Sequence, residues 1–127
     1  MDAIMAEDFM SELEKNGADV KNTLDRFMGK QELYVKFLNK YADSTECQGL
    51  IDSIEKGDYE EAFKFAHTLK GVAGNLGLIP IQDLSSDITE LLRGKEEPEI
   101  DKEALGEKER QLKEKNEVFL ALIRDNQ

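Results

Sequence analysis

With 127 residues, of which 39% are hydrophobic and 35% charged, the chain has the length for one domain with one core, and its composition excludes a disordered tail. Its 28 acidic and 17 basic side chains leave a formal charge of −11, which repels nucleic acid and anionic lipid and leaves a protein or a small molecule as the expected partner. Cys47 is the only cysteine, so an internal disulfide is excluded; the acidic opening MDAIMAEDFM is unlike a signal peptide, and no apolar run nears the roughly 20 residues that span a bilayer, so the expected location is the cytoplasm, with no membrane partner.

Apolar residues recur at helical spacing along almost the whole chain, and no segment alternates like a strand. Ile4, Met5, Phe9 and Leu13 predict a first short helix, stopped by Asn16-Gly17. Val20, Leu24 and Phe27 predict a second, ending at Gly29, and Tyr34, Phe37, Leu38 and Tyr41 a stronger third. After Asp43 the phase slips. Thr45 and Gln48 have the spacing of a capping box, and Cys47, Leu50, Ile51 and Ile54 form a new stripe that Gly57 ends. Asp58 and Glu61 repeat the capping pattern before a helix from about Tyr59 to Leu76, closed by Gly77. Pro80 then suits a first helical turn, and Ile81, Leu84, Ile88, Leu91 and Leu92 carry the helix to Gly94. The charged stretch from Lys95 to Asp101 reads as a loop, and Leu105, Leu112, Phe119, Leu122 and Ile123 mark a final helix. The fold class expected is all-α: an antiparallel four-helix bundle in one domain over 1–127, with accessory helices in about 1–28 and the bundle in about 30–125.

On a helical wheel at about 100° per residue, Ala62, Phe65, Leu69, Val72, Ala73 and Leu76 fall together as the buried stripe of the fifth helix. His67, the one histidine, lies almost opposite, near Glu60, Phe63, Lys64, Lys70, Gly71 and Gly74, so its imidazole is expected in solvent in mid-helix. Gly71 and Gly74 lie one and two turns beyond it on the same face, and each costs a helix interior roughly 1 kcal/mol relative to alanine. Close approach by another helix is one reason for such glycines. Bare backbone that lets a partner's active site reach the imidazole is the other, and it accounts for the histidine and both glycines together. Lys64 and Lys70, three residues to either side, can flank a phosphorylated ring, which carries about two negative charges. Phe63, one turn before His67, is a candidate docking contact.

The segment Ala66-His67-Thr68-Leu69-Lys70-Gly71-Val72-Ala73-Gly74-Asn75-Leu76-Gly77 resembles the signature of histidine-containing phosphotransfer (HPt) domains: a histidine, a lysine three on, a glycine four on, small residues, and a glycine ten on. The Gly57-Asp58 turn and the Tyr34, Phe37, Tyr41 helix are also similar, so the likeness spans roughly residues 18 to 95. The resemblance implies a four-helix bundle whose exposed histidine exchanges phosphoryl groups with the aspartate of response-regulator receiver domains in a multistep phosphorelay. It implies that His67 is the phosphorylated residue, with Lys70 and Lys64 beside the phosphoryl group. Gly71, Gly74 and Asn75, with Phe63, would form the receiver-docking surface. The partners implied are receiver domains and a sensor or hybrid histidine kinase, with a monomer expected.

A neutral imidazole offers one ring nitrogen as nucleophile, and no general base, nucleotide-binding loop or metal-ligand set adjoins His67 in the sequence. No cofactor of its own is therefore expected. Magnesium and the catalytic carboxylates would come from the receiver, and the chain would be a phosphocarrier without ATP-dependent kinase activity. Three other readings keep the helices and change the role. The chain could be the phospho-accepting domain of a chemotaxis-type kinase, but no kinase sequence follows, which favours a free-standing shuttle or an excised domain. It could be a degenerate interaction module, which has no need of the histidine, lysine and glycines together. It could be a hydrolase using His67 as base, but a convex helix face offers no pocket to hold a nucleophile.

Overall fold

The computed structural model describes the backbone from Ala3 to Gln127 and the side chains from Asp8 onward. The elements are α1 (Ala3–Lys15), α2 (Val20–Arg26), α3 (Gln31–Asp43), α4 (Glu46–Lys56), α5 (Tyr59–Asn75), α6 (Ile79–Leu92), a 3-10 turn (Glu97–Glu99) and α7 (Lys102–Asp125). No strand occurs among the described residues, and the architecture is the expected helical bundle.

Turn chemistry sets the topology. Gly57, at φ +74°, ends α4 in the left-handed conformation that glycine adopts without a steric penalty, and Asp58 starts α5 at once. The Asp58 carboxylate accepts from the Glu61 N–H at 3.2 Å, filling one of the unpaired donors of the first turn. Connections this short make α4, α5 and α6 successive antiparallel neighbours, and α7 returns along α6. Across the bundle Lys113 of α7 pairs with Glu55 of α4 at 3.4 Å, and Tyr41 of α3 hydrogen-bonds Asn116 of α7. One continuous core takes Phe9 and Leu13 from α1, Val20 from α2, Tyr34 and Leu38 from α3, Leu50 from α4, Leu69 from α5, Ile81 and Ile88 from α6, and Leu112 and Phe119 from α7.

Several local expectations change. Thr45 precedes α4 but caps nothing with its side chain, and Gln48 donates instead to Asp52 at 2.8 Å. At α5 only the forward half of the capping pattern forms, because the Glu61 carboxylate faces Lys64 at 3.5 Å. α2 ends at Arg26, three residues before Gly29, and Met28 takes a left-handed φ of +59° that side-chain-bearing residues seldom adopt. Phe37 is 38% exposed because it leans on Phe27 outside the core, their ring centroids 5.6 Å apart. The stretch from Lys95 to Asp101 is no plain loop: it holds the 3-10 turn and tucks Ile100 into the core. The side chains of Ile4 and Met5 lie outside the described residues.

Candidate functional site

α5 is sorted by side-chain size. Ala62, Ala66, Leu69 and Ala73 are fully buried, and three alanines in that row let α4 and α6 approach closely. Phe65 and Val72 are only half-buried, so the buried arc is rotated toward Ala66 from the one predicted. His67 is exposed on the opposite side, in mid-helix. Among the described residues no group hydrogen-bonds either of its ring nitrogens. Beside the imidazole stands an aromatic ring: Phe63, one turn earlier, lies 5° from parallel and 6.4 Å away between centroids.

His67, Lys70, Gly71, Gly74 and Asn75 line one shallow hollow of about 500 Å³, together with Arg26 of α2 and Gln82 of α6. The two predicted lysines separate. Lys70 is half-buried and makes no ion pair within 4.0 Å among the described residues. Lys64 points the other way along the helix, where its ammonium sits 3.5 Å from Glu61 and 4.0 Å from Glu60. The two glycines separate as well. A β-carbon on Gly71 would meet nothing within 4 Å, whereas one on Gly74 would come within 2.9 Å of the Gln82 amide. The tip of the Gln82 side chain from α6 therefore crowds Gly74, and of the two glycines only Gly71 has open space about it. Phe63, expected as an exposed contact, is half-buried against the core and lies beneath the Arg93 guanidinium, 5.3 Å from its ring centroid. Asn75 also borders a second hollow of about 450 Å³ whose lining includes Phe27, Phe37 and Tyr41.

The floor of the site is held from below by the N-terminal segment. A helix leaves its last carbonyls without intrahelical partners. Here the Arg26 guanidinium donates to Gly74 O at 3.0 Å and Asn75 O at 3.1 Å, the Tyr34 hydroxyl to Leu76 O at 2.8 Å, and the Asp19 N–H to Gly77 O at 2.8 Å. Burial pushes the Tyr34 hydroxyl up to about 12, so it stays protonated and keeps donating. Gly77, at φ +70°, must be glycine on two counts: the left-handed backbone, and a β-carbon that would collide with the Thr23 hydroxyl and stand 2.8 Å from Asp19 O.

Arg26, Gln82 and Arg93 were not found by sequence reasoning. Each reaches the face of α5 from another helix, and one-dimensional spacing carries no signal for that. Among the described residues no three His, Cys, Asp or Glu side chains gather where they could hold a metal ion. No helix there is long and apolar enough to cross a membrane.

An exposed imidazole that no described group hydrogen-bonds, at an open hollow beside an ammonium without an ion pair, is equipped to act as a nucleophile inside a partner's active site. Compared with protein families, residues 5–121 match the model of the Hpt domain. Compared with curated proteins and with solved structures, the chain gives no match.

Proposed function

Because the chain belongs to the Hpt domain family, whose members are phosphocarriers of two-component signalling that work with histidine kinases and response regulators, we propose that His67 is its phosphorylated residue and exchanges the group with the aspartate of receiver domains in a multistep relay. The observation that carries this reading is the single histidine exposed in mid-helix, its ring nitrogens hydrogen-bonded by no described residue, with Lys70 one turn on along the same hollow.

The step needs little from this chain. The unprotonated ring nitrogen attacks the phosphorus of the receiver's acyl phosphate. A P–N bond forms as the P–O bond to the aspartate breaks, and the electron pair leaves on the receiver's carboxylate. The proton on the other ring nitrogen stays where it is. Lys70 can meet the two charges of the arriving group by charge-assisted hydrogen bonding. Lys64, held by two glutamates, contributes at longer range. Gly71, with open space about it, admits the rim of the receiver, and Asn75 and Gln82 offer amide donors at the edge. Magnesium and the carboxylates that order the acyl phosphate belong to the receiver, and this chain does not use ATP.

The test mixes the protein with a panel of phosphorylated receiver domains in magnesium buffer, beside His67→Gln and Lys70→Ala. The expected result is rapid acid-labile, alkali-stable labelling of the wild type. His67→Gln should take no label, and Lys70→Ala should accept or retain it less well. Labelling of the wild type only by a kinase's ATP-binding domain would change the donor, and labelling that survives in His67→Gln would overturn the assignment.

A further inference from the structure

An exposed histidine in a helix has rotamers to choose from, and in-line attack on phosphorus needs one of them. Among the described residues nothing hydrogen-bonds the ring to select it. We propose that Phe63 is a positioning residue: a fixed aromatic wall that holds the His67 imidazole in the plane from which it attacks, with Arg93 and the core keeping the wall still. This inference rests on His67 as the phosphorylated residue and reassigns Phe63, which the sequence offered as a docking contact.

Three observations converge on it. Helical side chains lean toward the N-terminus, over the residue one turn back, and for His67 that residue is Phe63. The two rings are 5° from parallel with centroids 6.4 Å apart, an offset arrangement within the range that aromatic pairs favour. Phe63 is itself held on two sides. It packs half-buried against the core, and the Arg93 guanidinium lies 5.3 Å from its ring centroid while the same side chain's Nε holds Glu90 at 3.2 Å. Arg93 follows directly on α6, so the end of one helix steadies the wall that orders a side chain on its neighbour. A ring in this position flanks the imidazole in a parallel, offset arrangement, and no described group hydrogen-bonds the ring nitrogens.

The wall acts on orientation and not on docking, so its removal should lower the saturating transfer rate and leave receiver affinity alone. Phe63→Leu keeps an apolar side chain against the core and removes the plane; Phe63→Tyr restores the plane. Because the chain has one histidine, its imidazole resonances need no assignment by elimination, and ring order is readable by carbon relaxation on histidine-labelled protein. In the wild type, nuclear Overhauser contacts between the Phe63 and His67 rings and a restrained imidazole are expected. In Phe63→Leu the ring should become mobile and the single-turnover rate at saturating phosphoreceiver should fall about tenfold. The half-saturating receiver concentration should stay within about twofold, and Phe63→Tyr should recover the rate. An imidazole as ordered in Phe63→Leu as in the wild type would overturn the proposal, and so would a loss confined to affinity. A wild type that takes no phosphoryl group yet shows the ordered ring, lost in Phe63→Leu, would remove the proposed relay role and leave the positioning intact.

Discussion

A β-carbon added to Gly71 would stand in open space, and a glycine in a helix interior loses more conformational entropy on folding than alanine does. Gly71→Ala should therefore raise unfolding stability by about 0.5–1 kcal/mol, read as a higher urea midpoint with unchanged slope. Gly71→Trp should fold equally well and fail to receive phosphoryl groups, because the indole would project into the open space beside His67. Normal transfer by a stably folded Gly71→Trp protein would remove Gly71 from the docking surface. Gly74 has a different constraint: Gly74→Ala pushes the flexible end of Gln82 aside, a small cost. The helical wheel placed these two glycines alike because it contains only the helix they belong to. The same limit put Phe63 in solvent, since Arg93 and the packing of α6 are invisible from α5 alone.

At the scale of elements, the last carbonyls of α5 are capped from α2 and α3 together, so α2 is less an accessory than part of that cap. Tyr34→Phe would leave Leu76 O, a buried acceptor, without its donor, and should cost about 1–3 kcal/mol, measured as a fall in the urea midpoint. Arg26→Ala should cost less, because the Gly74 and Asn75 carbonyls it serves are exposed enough for water to replace it. Every helix was legible in the sequence because apolar spacing and glycine stops act locally: Gly57 and Gly77 end their helices at the left-handed positions expected of them. Side-chain caps were less legible. Asp58 caps α5, but Thr45, with the same spacing to a polar residue, makes no side-chain cap, and the Gln48 amide bonds Asp52 in place of reaching back. The exposed position of His67 beside Lys70 was legible because the two share a face of one helix. Arg26, Gln82 and Arg93 were not, because three-dimensional packing alone brings them there.

For the molecule as a whole, the buried acids that titrate at high pH set one limit of its stability. Burial raises the Cys47 thiol to about 12, and raises the Tyr34 hydroxyl to about 12 and the Tyr41 hydroxyl above its ordinary value. A group whose folded pKa is raised holds its proton in the folded state while the unfolded chain releases it, so its stabilising contribution is complete below the unfolded pKa and is lost as pH rises toward the folded one. With unfolded values of about 8.5 for cysteine and about 10 for tyrosine, the urea midpoint should be level through neutrality and decline from about pH 9. Each such group steepens the decline by up to about 1.4 kcal/mol per pH unit within its window. Cys47→Ala should move the onset toward pH 10, and a midpoint that stays level to pH 11 would contradict the burial of all three groups. The cap on α5 has another consequence, in the order of assembly. Its bonds join residues 42 to 58 positions apart, whereas the hairpins α4–α5 and α5–α6 close through turns of a few residues. Long loops close at greater entropic cost, so the hairpins should form first and the cap last. The helix that carries His67 would then exist, packed on one face and frayed at its C-terminal end, before the N-terminal segment seals it, and its end should be the first part of the bundle to open again.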